Sequence, residues 1–347
     1  MEVEARSKPH SDGNCNEQHE HSEITGGYEK HQQYEARKPK WWMKLSGRRG
    51  TRAQRQTIER MTECGYCFSR QVLSDFSRVN NSAKHSSIQN DNSATDRWRR
   101  VWWNRSLGVF DDSEDASQEE VLPIADTVSN SRNEKHAQKI QSMYRNKSPL
   151  PFRKYDRIVL EIGFGSGDNI LANSLNDRNT LFVGSEIHQP GCGAVLQKME
   201  QEIVPSEKIE DASNEHVYQN IRILQGDGIK LLSHLPQKYL DSILITFPDP
   251  WPKEGHAHWR VVQSDVLVEM HRVLKCDGKV LVATDAECFN DWTRGIFAHG
   301  ASKGKWREVT PCPDRSQWLP VVSYYEQKGL DEGRYTMLQC WKTTDAD

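Results

Sequence analysis

Residues 157–168 read RIVLEIGFGSGD, and this stretch decides the fold. Its first half is a short apolar run of the kind found in a buried strand, and Glu161 stands near the end of that run. Its second half places Gly163, Gly165 and Gly167 where the chain leaves the strand and opens a helix. Glycines at such a turn let a nucleotide-like ligand approach the backbone, although a purely structural tight turn would need them too.

Four further apolar, β-branched runs predict the rest of the sheet, at 181–186, 221–225, 242–247 and 279–284. Segments of helix length lie between them, such as 265–274, whose apolar residues share one face. Alternating helices and fully apolar strands predict a parallel sheet with helices on both faces, and 335–341 predicts a late antiparallel edge strand. We therefore expect an α/β, Rossmann-like domain over 150–347 with a seven-stranded, mostly parallel sheet, and a ligand beyond the carboxyl ends of its strands.

The chain before residue 150 has a different composition. The mean hydropathy of the whole chain is −0.81, lower than a uniformly globular protein would give. Residues 1–36 are rich in Glu, His, Gln, Ser and Asn without a periodic apolar pattern, which predicts a disordered tail. Residues 69–149 are again mostly polar and predict a flexible insertion or linker, in which the cluster WRRVWW at 98–103 has no evident role.

Between these two polar stretches, residues 37–68 form a basic arm. Lys and Arg recur through 37–60 with Glu59 as the single acid, and Trp41 and Trp42 are interleaved. The whole chain is nearly neutral, with 46 Lys and Arg against 49 Asp and Glu, so a nucleic acid would have to be held by a local basic surface. The composition of the arm fits an RNA-backbone contact, a localisation signal or a solvated linker.

The sequence also bears on location and metals. The chain has no run of 18 apolar residues, which predicts no membrane span, and its acidic first thirty residues suit neither a signal nor a transit peptide. Of the eight cysteines, Cys64 and Cys67 form a lone C-x-x-C pair, and because a structural zinc site needs four ligands, ordinary thiols are favoured over a metal. We expect an intracellular protein of the cytoplasm or nucleus, with an organelle left open.

Acids follow the next two predicted strands as well. Glu186, next to Ile187, ends the second strand, where a carboxylate commonly accepts hydrogen bonds from ribose hydroxyls, and a surface acid is the alternative. Asp227 and Gly228 follow the third strand, where the carboxylate would approach an adenine ring. Glu161 would repel a pyrophosphate but not a sulfonium or an amino group. The pattern resembles the first motif of S-adenosylmethionine methyltransferases, which implies S-adenosylmethionine as cofactor.

One stretch makes the resemblance specific. Residues 247–253, FPDPWPK, are similar to the F-P-D-P-W-x-K signature of the bacterial-type tRNA (guanine-N7)-methyltransferase family. Four other stretches also resemble that family, namely SEIH at 185–188, ATD at 283–285, SYYEQKG at 323–329 and the basic RGTRAQ at 49–54. The resemblance covers roughly 200 residues and is silent on 1–36 and 69–140. It implies a class I methyltransferase that methylates N7 of a guanine in tRNA, in the variable loop.

Guanine N7 carries a free lone pair at neutral pH, so its methylation needs placement rather than proton removal. Asp249, held between Pro248 and Pro250, is the expected catalytic residue. Its carboxylate can accept hydrogen bonds from the N1–H and amino group of guanine and offset the positive charge that develops on the purine. An Asp between two prolines argues against the exocyclic-amine chemistry of N-P-P-Y loops, and a rigid loop without a catalytic role is the remaining alternative.

The resemblance further implies that a set of polar side chains binds the RNA: Lys253, His256, Arg260, Asp285, Ser323 and Glu326. Relatives carry more basic residues at 253–260, where this chain has Gly255, His258 and Trp259. Either the basic arm compensates or Trp259 stacks on a base. The expected partner is tRNA, and a β-propeller accessory subunit is left open because some eukaryotic relatives use one. The alternatives are N7 methylation of another RNA and an RNA-binding scaffold without turnover.

Overall fold

The computed structural model describes residues 49–68, 96, 99–100, 103–104, 106–109, 153–202, 217–299 and 304–344. The predicted tail at 1–36, the first part of the basic arm and most of 69–149 lie outside the described residues, so their assignments stay predictions.

A single mostly parallel sheet organises the described residues. Its strands are β1 (Cys67–Phe68), β2 (Arg157–Ile162), β3 (Thr180–Glu186), β4 (Ile221–Gln225), β5 (Leu240–Thr246), β6 (Leu274–Thr284), β7 (Trp306–Glu308) and β8 (Met337–Thr343). Their order across the sheet is β1-β4-β3-β2-β5-β6-β8-β7. Neighbours from β1 to β6 pair in parallel, and β8 is antiparallel to both β6 and β7. The Rossmann-like α/β fold is therefore confirmed.

The described part of the sheet has eight strands rather than the seven expected. Seven strands, β2–β8, lie within 150–347, and six of them correspond to the runs identified in the sequence, whereas β7 corresponds to none. The eighth is β1, which pairs in parallel with β4 through Cys67 and Phe68. A two-residue strand shows no alternation from which a sequence pattern could identify it.

Helices alternate with the strands. They are α1 (Arg52–Glu63), α2 (Asp168–Asn176), α3 (Gln189–Glu202), α4 (Gly228–Leu232), α5 (Ser264–Val273), α6 (Glu287–His299) and α7 (Tyr324–Asp331), with 3-10 turns at Glu254–Trp259 and Arg315–Gln317. Val159 of β2 belongs to a core cluster with residues of α1, α2 and α3. Across the described ranges, the search for a helix long and apolar enough to cross a bilayer finds none.

Part of the basic arm is integral to the domain. Thr51 caps α1 in a reciprocal capping box with Gln54, which explains where the helix begins. Ile58 and Met61, one turn apart, are buried in the core cluster against α3. Residues 51–68 therefore form a helix and an edge strand of the domain rather than a free arm.

The tryptophan-rich cluster also contacts the domain. Trp103 is buried, and its Nε1 donates a hydrogen bond to the carbonyl oxygen of His234 at 2.9 Å. Trp103 lines a small apolar cavity with Ile158 and Leu160, which face the side of β2 opposite to Val159. This segment therefore covers the second face of the sheet, and long-range packing of this kind leaves no local sequence signal.

Candidate active site

The glycine turn after β2 forms the floor of the candidate site. Gly163, Gly165 and Gly167 all have positive φ, at 75°, 58° and 74°, which strains any residue with a Cβ. A Cβ on Gly167 would also lie 2.2 Å from Val195 Cγ2, so this glycine permits α3 to pack against the start of α2. At Gly163, by contrast, no described residue other than its chain neighbours comes within 4 Å of the place where a Cβ would stand. The turn therefore presents bare backbone to open space.

Glu161, in β2, is a buried carboxylate with unused hydrogen-bonding capacity. It is 2% exposed, and Thr246 Oγ1 donates a hydrogen bond to its Oε1 at 3.1 Å. Within the described residues, its Oε2 is buried and has no hydrogen-bond partner. Burial raises the pKa of Glu161 to about 7. The Thr246 hydrogen bond lowers this pKa, and the nearby charge of Glu186 raises it. A buried carboxylate in this state favours a cationic ligand group.

Glu186 ends β3 beside the glycine turn. Its two carboxylate oxygens accept hydrogen bonds from the backbone N–H of Gly165 at 3.0 Å and of His188 at 2.8 Å. Burial raises the pKa of Glu186, these backbone donors oppose the rise, and the charge of Asp249 adds to it. The Ile187 N–H also binds this carboxylate, and because a carboxylate has about four lone-pair sites, it retains the capacity to accept a further hydrogen bond from a hydroxyl. Ile187 follows directly and is partly buried.

Asp227 and Gly228 shape the end of β4. Asp227 caps α4, with Oδ1 accepting a hydrogen bond from the Ile229 N–H at 2.9 Å. A Cβ on Gly228 would stand 2.2 Å from Ser185 Oγ and 3.0 Å from Ile162 Cγ2. Gly228 therefore brings α4 against the ends of β2 and β3, next to the glycine turn.

The FPDPW loop follows β5, the other sheet neighbour of β2, and carries Asp249. Phe247 and Trp251 flank the Pro-Asp-Pro step with positive φ, at 46° and 45°, a conformation that costs about 1–3 kcal/mol per non-glycine residue. Asp249 is exposed between them. Because β3 and β5 both pair in parallel with β2, the end of β3 that carries Glu186 and the loop that carries Asp249 lie at the same edge of the sheet.

Arg260 lies beneath this loop, which differs from its expected place at the RNA phosphates. Its side chain is 6% exposed, and its Nε and Nη2 donate hydrogen bonds to the carbonyl oxygens of Pro250 at 3.0 Å and Trp251 at 3.1 Å. Its guanidinium also lies 5.0 Å from the centre of the Trp292 ring. Buried carbonyls in an irregular loop need such donors, so the guanidinium supports the loop instead of projecting into solvent.

The two other predicted RNA contacts in this segment remain accessible. Lys253 is exposed at the start of the 3-10 turn. His256 is half-buried, and its ring stacks on Trp259 with centroids 4.1 Å apart and planes 25° apart. Trp251 meets the edge of Trp259 at 4.9 Å. The ring of Trp259 therefore packs between His256 and Trp251, the last residue of the FPDPW loop.

The last predicted contacts lie around α7. Asp285, after β6, accepts a hydrogen bond from Arg334 Nε at 2.8 Å. Ser323 caps α7, with Oγ accepting from the Glu326 N–H at 3.3 Å. Glu326 is 4% exposed, with its carboxylate between Arg315 Nη2 at 2.5 Å and Thr336 Oγ1 at 2.7 Å. These three side chains hold α7 in place, and contacts to RNA from them stay predictions.

Sequence reasoning missed Tyr325 at this site. Its ring lies over Gly165, with Cε2 3.3 Å from where a Cβ on that glycine would stand. Burial raises the pKa of Tyr325, and the charges of Glu186 and Asp249 raise it further. Its position within the 323–329 stretch indicated a residue near the site. The neighbouring sequence, however, does not indicate that its ring reaches the glycine turn.

The comparisons agree with this geometry. Residues 156–338, more than half of the chain, match the family described as "Putative methyltransferase". The fold and this match therefore define a member of a Rossmann-like methyltransferase family, and the predicted cofactor, S-adenosylmethionine, is confirmed. The site fits that cofactor, because the buried, unsatisfied Oε2 of Glu161 suits a cationic group and open space adjoins the bare turn at Gly163.

Curated relatives define the family more closely. The tRNA (guanine-N(7)-)-methyltransferase of Bradyrhizobium diazoefficiens is 34% identical over 178 residues, which cover 51% of this chain and 69% of that protein. The enzyme of the same name from Bartonella quintana is 33% identical, covering 52% of this chain and 72% of that protein. That of Rhodopseudomonas palustris is 33% identical, covering 52% and 64%. The chain belongs to the tRNA (guanine-N(7)-)-methyltransferase family.

The matched region has definite limits. It spans about two thirds of the relatives' length and about half of this chain. Among solved structures, the 16S rRNA (adenine(1408)-N(1))-methyltransferase of Catenulisporales acidiphilia, with cosubstrate SAM, aligns with a TM-score of 0.37 and 13% identity, covering 55% of this chain and 88% of that one. So low a score carries no argument about substrate.

Proposed function

We propose that this protein transfers a methyl group from S-adenosylmethionine to N7 of a guanine in tRNA, and that the target is the variable-loop guanine. The observation that carries the proposal is the place of Asp249. It is exposed on a constrained loop after β5, and β5 pairs in parallel with β2, the strand that carries Glu161 and leads into the glycine turn. A base presented to Asp249 would therefore meet the cofactor at a shared edge of the sheet.

The cofactor half would divide among three acids. Glu161, with its unsatisfied Oε2, would hold a cationic group of the cofactor. Glu186 would accept hydrogen bonds from ribose hydroxyls while its backbone donors fix its orientation. Asp227 would approach the adenine from the start of α4. When bound, S-adenosylmethionine supplies an electrophilic methyl group whose carbon–sulfur bonding electrons remain on sulfur as the bond to N7 forms.

The substrate half needs a base in one orientation rather than a proton acceptor. N7 already has its lone pair, so no residue has to deprotonate it first. Asp249 can accept from the N1–H and amino group on the opposite edge of guanine, which adenine does not offer in that form. Its negative charge also offsets the positive charge that the purine gains, which favours the transition state over the ground state.

The experiment is methylation of unmodified tRNA by the purified protein with labelled S-adenosylmethionine, followed by chain cleavage at N7-methylguanine. We expect label in tRNA and cleavage at one variable-loop position. Label at another atom or in no tRNA would contradict the proposal. Binding of cofactor and RNA without incorporation, also with added cell extract, would favour a scaffold without turnover. The extract arm also tests the β-propeller subunit, which stays a prediction.

A second candidate, N7 methylation of a different RNA, is favoured by one observation. The stacked pair His256 and Trp259 replaces part of the basic surface expected beside Asp249. Aromatic rings hold unpaired bases by stacking, whereas basic side chains hold phosphates irrespective of sequence. A parallel assay with total RNA depleted of tRNA separates the candidates, because incorporation there at a rate above that in tRNA would select the second.

A further inference from the structure

Helix α7 lies across the carboxyl edge of the sheet. At its far end, a Cβ on Gly329 would stand 2.4 Å from Asp285 Oδ2, so the helix backbone lies directly on the residue that follows β6. At its near end, the Tyr325 ring meets Gly165 in the turn after β2. The helix thus spans the ends of β6, β5 and β2, which are successive strands of the sheet. The FPDPW loop emerges from β5, between these two contacts.

The orientation of α7 is fixed by several independent contacts. Glu326, directly after Tyr325, is buried between Arg315 and Thr336. Asp285 is tied to Arg334, beyond the end of the helix. Because Glu326 points into the protein at this turn, the side chain of Tyr325 is directed along the neighbouring face, towards the glycine turn.

Tyr325 thereby reaches the cofactor half of the site, on a helix that crosses the end of β5, from which the Asp249 loop emerges. Its ring contacts the Gly165 turn, whose N–H binds Glu186, yet the residue remains 54% exposed. The charges of both Glu186 and Asp249 act on its phenol, and together with burial they raise its pKa, so the phenol is neutral at physiological pH. A neutral phenol near two carboxylates presents the flat face of an uncharged ring to a bound base.

We propose that Tyr325 is a positioning residue for methyl transfer, whose ring forms the wall that joins the glycine turn to the Asp249 loop and restricts how the target base approaches the cofactor. The inference rests on the proposed function and deepens it. A wall made by the ring predicts that Phe substitutes for Tyr and that Ala does not. Loss of the wall would leave the base more than one orientation and so lower kcat rather than RNA affinity.

The test compares Tyr325→Ala, Tyr325→Phe and Tyr325→Leu with Tyr324→Ala in the full chain. Tyr324 is the matched control, because it is the preceding residue of the same helix and is 66% exposed. We expect Tyr325→Ala to lower kcat about tenfold, with tRNA binding unchanged, and Tyr325→Phe and Tyr324→Ala to stay within about twofold of wild type. Tyr325→Leu, which retains apolar volume, should fall between them, and it replaces the Ala variant if thermal unfolding shows that variant to be misfolded.

Equal kcat for wild type, Tyr325→Ala and Tyr325→Leu would overturn the inference, as would a Phe variant as slow as the Ala variant. A wild-type protein that methylates no tRNA would instead refute the proposed function. In that case the same variants are compared by S-adenosylmethionine affinity, where weaker binding by Tyr325→Ala but not Tyr324→Ala supports the wall and equal binding refutes it.

Discussion

The two halves of the site are built by different means. In the cofactor half, Glu161 and Glu186 lie in adjacent strands and are positioned by backbone pairing, so their proximity follows from sheet register. In the substrate half, Asp249 depends on a constrained loop supported by Arg260, and Glu326 depends on Arg315. Secondary structure thus fixes the first half, whereas side-chain hydrogen bonds between residues 9 to 11 positions apart in irregular segments fix the second. Substitutions in the two halves should therefore change different measurable quantities.

The largest contrast concerns Asp249. We expect Asp249→Ala to lower kcat for tRNA by about a hundredfold or more, because both base orientation and charge compensation are lost. Cofactor affinity, measured by calorimetry, should stay unchanged, since the residue is exposed outside the buried acids. Asp249→Asn, which keeps the size and loses the charge, is the matched variant. Equal turnover in either variant would remove the carboxylate from the mechanism.

Glu161 supplies the converse case. We expect Glu161→Gln to weaken S-adenosylmethionine binding about tenfold through loss of one charge pair. Burial raises the pKa of Glu161 to about 7, and a cationic ligand favours the ionised form. Wild-type affinity should therefore rise between about pH 6 and about pH 8, while that of Glu161→Gln stays flat. Glu254→Gln, an exposed acid of the 3-10 turn, is the control, and a flat wild-type profile would contradict the assignment.

The same carboxyl should shape the stability of the ligand-free protein. Its pKa is raised from 4.5 to about 7 on folding, so the folded state binds the proton more tightly. The associated stability is present below the lower value and is lost as the pH rises through the upper one. We therefore expect the wild-type Tm to fall more steeply than that of Glu161→Gln between about pH 5 and about pH 8. Parallel profiles would show that Glu161 does not titrate in this range.

Arg260 and Lys253 sharpen the division within the substrate half. We expect Arg260→Ala to destabilise the fold by about 1–3 kcal/mol, because two loop carbonyls lose their donors, and to lower kcat. The slope of log affinity for tRNA against log salt should stay unchanged. Lys253→Ala, at an exposed position, should reduce that slope by about one and leave Tm unaltered. If only the Arg260 variant changed the salt slope, Arg260 would be assigned to an RNA phosphate contact instead of to support of the loop.

The smallest effect is expected at the start of α1. Arg49 and Arg52 are exposed, and we expect their joint replacement by Ala to lower the salt slope by about two without changing Tm. Ile58→Ala is the contrasting variant, since that side chain is in the core and its truncation should lower Tm without changing the slope. If the salt dependence of tRNA binding were unchanged in the double variant, residues 49–52 would contribute to folding and not to RNA binding.

The sequence predicts the parts that depend on local pattern. The apolar runs identify β2 to β6, and the glycines mark the turn because glycine adopts positive φ without the strain that a Cβ brings. The burial of Arg260 and the pairing of Glu326 with Arg315 could not be predicted, because they join residues only 9 to 11 positions apart through irregular loops, whose conformation no sequence period indicates. The packing of Trp103 escapes prediction for a different reason, since its partner His234 is 131 residues away.

The central claim is that acids at neighbouring strand ends orient a methyl donor towards a purine nitrogen with a free lone pair. The most direct measurement uses tRNA in which the target guanine is replaced by 7-deazaguanine, which keeps the edge that Asp249 would recognise but has carbon in place of N7. The account predicts binding comparable to that of ordinary tRNA and no methyl incorporation. Incorporation at the ordinary rate would contradict it.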